Sequence, residues 1–276
     1  MTQFIQQQKQ QVKRILLRHS KPSRCDYFLV GFQKCSTSSL WSSLRHHSWV
    51  KPGVTKELGF WIENNNSENL NPTDYRMLFP LRKGEKKFID ATVNYITTPG
   101  CVEKILDYNP QAKFIILLRD PTERAFSAWK MFHLKFKNKD SQGHKQWDRR
   151  SFQMAMNEEL SAHKMQENAP GPYQYLRSGL FAQILKEELA IVPKENVFIA
   201  DAQSDMQQDW EVFQRSIQEF LRLPYQQLSL EHRNITNKAQ ISDEEHETME
   251  VLRNFYKSHN DELREYLVRP LEHWSS

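Results

Sequence analysis

The feature that most constrains this chain is the apolar run Lys113 to Leu118 (KFIILL), which ends directly on Arg119-Asp120-Pro121. An unbroken apolar run of this length, with no polar alternation, makes a short strand buried on both faces. Pro121 stands where a helix can begin, because its missing N–H is no loss in a first turn. A buried strand running straight into a helix is the unit of an α/β fold. The unit recurs along the chain. Asp26 to Gly31 (DYFLVG), Lys87 to Ala91 and Asn196 to Ala200 (NVFIA) read as further strands. Helical spacing predicts helices over Thr37 to His47, Cys101 to Tyr108, Pro121 to Lys137, Ser151 to Gln166, Tyr173 to Ala190, Asp209 to Leu223 and Ser242 to Asn260. Short strands alternating with long helices imply a central parallel sheet with helices on both faces.

No internal repeat or Pro/Gly-rich linker divides the 276 residues, so the expectation is a polar, helical N-terminal extension over 1–25 followed by a single domain over 26–276. Asn64 to Asp74 and Asn138 to Trp147 read as exposed polar loops whose basic residues are solvated charge. The longest apolar stretches are too short to span a bilayer, and the glutamine-rich start has no signal-peptide core. If the chain is complete, it belongs in the cytoplasm; if it is a truncated secretory-pathway domain, it belongs in the Golgi lumen. Cys25, Cys35 and Cys101 suggest neither a disulfide framework nor a metal site, and no metal is expected. The sequons at Asn65 and Asn234 carry little weight. A formal net charge of +4 suits a small anionic ligand better than nucleic acid.

Two segments at strand ends could hold such an anion. After the first strand comes Gly31-Phe32-Gln33-Lys34-Cys35-Ser36-Thr37-Ser38-Ser39-Leu40. A strand, a tight turn and a helix N-terminus aim free backbone N–H groups at one point. Lys34 adds a full charge, and the hydroxyls of Ser36, Thr37, Ser38 and Ser39 add donors for phosphate or sulfate oxygens. A Walker A loop would need its lysine directly before the final Ser/Thr, so this is not one. The simpler account is an ordinary N-capped helix with a surface lysine. The second segment is Leu118-Arg119-Asp120-Pro121-Thr122-Glu123-Arg124-Ala125-Phe126-Ser127. Strand ends in parallel sheets open onto the ligand crevice, and an arginine fork with a hydroxyl two turns into the next helix makes a phosphate clamp. The simpler account here is a salt-bridged strand end, with Arg124 paired to Glu123 or Asp120.

The first loop resembles the 5′-phosphosulfate loop of sulfotransferases, close to G-x-x-K-[CSG]-G-T-[TS]-[SA]-L, with Ser36 where that family usually has glycine. The second segment matches the family's 3′-phosphate motif R-[DN]-P-x-x-R-x-x-S without departure. On these two motifs the chain is identified as resembling the sulfotransferases that use 3′-phosphoadenosine 5′-phosphosulfate (PAPS). The resemblance implies a P-loop NTPase-like sulfotransferase fold and release of adenosine 3′,5′-bisphosphate, with no metal. It implies that Lys34 to Ser39 hold the 5′-phosphosulfate and that Arg119 and Ser127 hold the 3′-phosphate. Where the family often has a basic, Gly-containing nucleotide loop, Asn237-Lys238-Ala239 lacks the glycine, leaving Lys238 as a candidate. Tyr175 to Phe181 and Leu252 to Leu267 resemble later family elements, so similarity runs from about Asp26 to Trp274.

Lys56-Glu57-Leu58-Gly59-Phe60-Trp61 resembles the K-E-x-x-[FW]-[FW] element of the carbohydrate and bacterial type of sulfotransferase, usually K-E-P-H-F-F. In that frame Glu57 is the general base that takes the acceptor's proton, while Lys34, assisted by Lys56, neutralises the leaving phosphate oxygen. Members acting on phenols use histidine instead, and His46 and His47 make that branch an alternative. The acceptor expected is a small polar metabolite or a carbohydrate, sulfated on a hydroxyl or amine. Trp61, Trp129 and Phe132 either line its pocket or belong to the core, with core favoured for two of the three. Two other readings stay open: a P-loop-type small-molecule kinase, for which Asp120 would be the metal-binding acid, and a nucleotide-binding module that has lost catalysis, hinted at by Ser36, Leu58 and Gly59.

Overall fold

The structure, a computed structural model, describes residues 13, 24–63, 72–81, 84–137, 148–167, 173–231, 241–271 and 273–274. The chain divides into two compact units. The first is drawn from the described residues of Met1–Phe32, Ser36–Leu118 and Glu188–Arg233, and the second from those of Gln33–Cys35, Arg119–Glu187 and Asn234–Ser276.

The first unit holds the sheet. Strands β1 (Tyr27–Gly31), β2 (Val50–Pro52), β3 (Lys87–Asp90), β4 (Lys113–Leu118) and β5 (Val197–Asp201) form one five-stranded sheet in the order β2-β3-β1-β4-β5. Every pairing is parallel. All five residues of β1 and the last five of β4 are buried, which explains why both read as unbroken apolar runs. β1 and β4 are neighbours, yet the chain leaves β1 toward the β2 edge and leaves β4 toward the β5 edge. Divergence of this kind defines the topological switch point, outside whose strand ends α/β sheets bind ligands. Gly31 ends β1 because nothing larger fits: a Cβ there would stand 2.4 Å from Cγ2 of Ile96.

Helices α1 (Thr37–Leu44), α2 (Phe60–Glu63), α3 (Pro72–Met77) and α4 (Cys101–Tyr108) also lie in this unit. α1 stops three residues short of the expected His47. The reason is local: the His47 ring accepts from the Trp49 N–H at 3.0 Å and bonds the Pro224 carbonyl at 2.9 Å, which turns the chain toward β2. β2 itself is too short and too polar to have been read as a strand. The expected exposed loop over Asn64 to Asp74 is corrected at its end, where Pro72 starts α3 as an N-terminal proline can.

The second unit is helical. Its elements are α5 (Pro121–Lys137), α6 (Phe152–Met165), the 3-10 turn Arg177–Gly179, α7 (Phe181–Glu188, whose last residue falls in the first unit) and α9 (Asp243–Leu267); α8 (Trp210–Phe220) follows β5 in the first unit. Phe126, Trp129, Phe152, Met156, Tyr175, Leu252 and Tyr256 belong to its core. The single helix expected over Tyr173 to Ala190 is broken at Gly179, where a Cβ would meet Tyr256 Oη at 2.5 Å and Pro121 Cβ at 3.0 Å. α9 begins with a capping box between Ser242 and Glu245 and runs past the expected Asn260 to Leu267. The expected loop over Asn138 to Trp147 lies outside the described residues.

Candidate active site

The loop after β1 turns through two left-handed residues. Lys34 (φ 69°) and Ser36 (φ 57°) are both left-handed, with Cys35 between them on the ordinary side. Alternation of this kind turns successive N–H groups toward a common side, the geometry of anion-binding concavities. Ser36 thus adopts the conformation that glycine would have taken without strain. It leads directly into α1, where Ser36 is the N-cap residue but its side chain caps no N–H. Instead its Oγ accepts from Gln207 Nε2 at 3.0 Å. Gln207 closes the π-helical segment Ala202–Gln207, which follows β5 and is started by Asp201 accepting from the N–H groups of Gln203 and Ser204. Thr37 and Ser39 are buried, and Ser38 is half-buried.

In the second unit, Arg119 Nη1 donates to the Lys34 carbonyl at 3.4 Å, and its Nη2 pairs with Glu123 at 3.2 Å. Lys34 Nζ lies 3.8 Å from the Met131 sulfur on α5. Ser127 is buried on the same helix. The simpler account of this strand end is therefore half right: there is an ion pair, but Arg119 makes it. Arg124 is buried and donates to the Tyr175 carbonyl, joining α5 to the segment before α7. Asp120 accepts from the Glu123 N–H at 2.9 Å and so caps the start of α5.

Back in the first unit, Glu57 also holds a left-handed φ of 59°. Its Oε1 pairs with Lys56 Nζ, and its Oε2 accepts from the Val93 N–H at 2.9 Å. The Glu57 side chain as a whole is 43 % exposed. Both nitrogens of His47 are engaged by backbone groups inside the fold, and its ring is buried; His46 is exposed and lies 3.2 Å from Glu231. Lys238 lies outside the described residues, as do Asn65 and Asn234. Trp61 and Trp129 are core residues, 2 % and 5 % exposed, while Phe132 is only partly buried, tilted against Tyr173 with ring centroids 4.8 Å apart.

One group went unremarked in the sequence. Asp90, the last residue of β3, is 1 % exposed and accepts three hydroxyls: Tyr75 at 2.8 Å, Thr92 at 2.7 Å and Tyr95 at 2.9 Å. Burial pushes its carboxyl up to about 6; the three hydroxyl donors pull the other way, and the charge of Glu57 adds to the rise. An acid at the crevice end of a predicted strand was the available signal.

No protein-family model matches the chain. Among solved structures it is similar to a sulfotransferase from Alicyclobacillus acidocaldarius, with a TM-score of 0.71 and 24 % identity, covering 92 % of this chain and 100 % of that one. It is also similar to the sulfotransferase domain from the curacin biosynthetic pathway, with a TM-score of 0.50 and 14 % identity over 91 % of this chain and 100 % of that one. The fold is that of the sulfotransferases. On this sulfotransferase fold, β1 and β4, the two strands that diverge at the switch point, are the ones that lead into the two motifs read from the sequence. No helix among the described residues is long and apolar enough to cross a membrane.

Proposed function

We infer that this chain is a PAPS-dependent sulfotransferase that sulfates a hydroxyl or amine of a small polar metabolite or carbohydrate. The observation that carries the reading is the left-handed pair Lys34 and Ser36 immediately before a helix whose N-cap side chain caps no N–H, on a sulfotransferase fold. Backbone N–H groups turned this way favour an oxyanion such as the donor's 5′-phosphosulfate. Lys34, Cys35, Ser36, Thr37, Ser38 and Ser39 would hold that group. Arg119, a fork with one partner it can exchange, and Ser127 would hold the 3′-phosphate. Lys238 is a further candidate for the nucleotide.

In the reaction the acceptor oxygen forms a bond to sulfur as the bond from sulfur to the 5′-phosphate oxygen breaks. The acceptor's proton passes to Glu57, and the electron pair of the broken bond stays on the departing phosphate, beside Lys34. Positioning and charge stabilisation dominate such loose in-line transfers. Lys56 pairs with Glu57 and adds positive charge nearby. The engagement of both His47 nitrogens favours the glutamate branch over the histidine one. Asp120 serves as a helix cap, which disfavours the kinase reading that needs it as a metal ligand. The test is melting in the presence of a chelator. Adenosine 3′,5′-bisphosphate should raise the melting temperature and ATP should not; no effect of the bisphosphate, with ATP stabilising once magnesium replaces the chelator, would favour the kinase.

A further inference from the structure

Glu57 sits in a short loop between β2 and α2, held in a strained backbone conformation. Three hydrogen bonds fix it, and all three reach the same stretch of chain just after β3. The Glu57 N–H donates to the Ala91 carbonyl at 3.0 Å, the carboxylate accepts from the Val93 N–H at 2.9 Å, and the Gly59 N–H donates to Thr92 Oγ1 at 3.2 Å. That stretch is held in turn by Asp90. A hydroxyl has one proton to give and can otherwise rotate. Thr92 gives its proton to Asp90 Oδ1 at 2.7 Å, which leaves its lone pairs facing the Gly59 N–H. Tyr75 and Tyr95 give theirs to Oδ2, so the carboxylate is locked from both sides. A buried carboxylate with every donor satisfied is a rigid anchor.

We propose that Asp90, acting through Thr92, is the positioning residue that holds the Glu57 carboxylate in place. The functional consequence rests on the reading of Glu57 as the base. Burial of an acid whose ionised form is disfavoured fits a local arrangement kept for position rather than stability.

The test compares Thr92→Val, which keeps shape but removes the hydroxyl, with Thr92→Ser, which keeps it, each alone and with Glu57→Gln in the full chain. Two readouts apply: amide hydrogen exchange at Gly59 and Val93, and release of labelled sulfate from PAPS to glycerol and to water as probe acceptors. Thr92→Val should speed exchange at both amides by at least about 10-fold and lower kcat by about 10-fold or more, with donor KM within about two-fold. Thr92→Ser should restore both readouts. In the Glu57→Gln background Thr92→Val should cost no further turnover, since the group it positions is gone. Unchanged exchange at both amides would overturn the proposal, as would an equal loss of kcat in both backgrounds. A fully active Glu57→Gln would instead overturn the reading of Glu57 as base, and amide exchange would then still decide whether Asp90 holds the loop.

Discussion

Arg119 donates to the backbone carbonyl of Lys34 at 3.4 Å, tying together the two residues on which donor binding is proposed to depend. The other end of the guanidinium is occupied by Glu123, an i,i+4 partner that is itself 42 % exposed. Exposed pairs of this kind contribute only about 0.3–0.5 kcal/mol, so an incoming phosphate would displace Glu123 at little cost. Arg119→Ala should weaken adenosine 3′,5′-bisphosphate binding by roughly 2–4 kcal/mol, the scale of lost charge-assisted bonds. Glu123→Gln should tighten it about two-fold. Titration calorimetry reads both, and adenosine 5′-monophosphate serves as the control that Arg119→Ala should hardly affect. Equal losses for the two nucleotides would make Arg119 structural.

Ser36 carries a cost that glycine would not. A left-handed φ disfavours a side chain by about 1–2 kcal/mol, partly offset by the hydrogen bond from Gln207. Ser36→Gly should therefore be more stable than Ser36→Ala by about 1–2 kcal/mol, because both variants lose the bond from Gln207 but only alanine keeps the strain. Chemical denaturation of the two variants measures the gap, and equal stability would show that the loop has relaxed.

Much of this was legible in the residues themselves, for physical reasons. β1 and β4 announce themselves because strands covered on both faces must be continuously apolar. β2 and the π-helical segment after β5 did not, since three residues with a lysine give no period and a π-helix has no pattern of its own. Helix ends failed where a contact distant in sequence set them, as with His47 against Pro224 and Gly179 against Tyr256. Among the candidate residues, the Arg119 and Lys34 contact joins two motifs that could be read, whereas Asp90 showed only as an acid at a strand end, because what sets it apart is Tyr75, Thr92 and Tyr95 converging on it.

Asp90 should also leave a mark on stability. Its folded carboxyl is raised from 3.8 to about 6, so the native state holds a proton that the unfolded chain has already released. Stability must then fall as pH rises from about 4 to about 6 and level off above that, by about 3 kcal/mol for this group. Asp90→Asn should lack this descending limb. Denaturation midpoints across that range, for both proteins, decide the matter; parallel curves would mean that Asp90 ionises normally.

The most direct test of the central claim is transfer itself. Labelled PAPS is incubated with the protein, a chelator and a panel of hydroxyl- and amine-bearing acceptors, and labelled product is measured against adenosine 3′,5′-bisphosphate formed. One bisphosphate should appear for each sulfuryl group moved. Lys34→Ala should lower kcat by on the order of 10²-fold with far less change in bisphosphate affinity, because its charge acts on the leaving oxygen. Glu57→Gln should lower kcat by about 10²–10⁴-fold. Label that never leaves the donor, together with phosphate transferred from ATP to the same acceptors when magnesium replaces the chelator, would contradict the account.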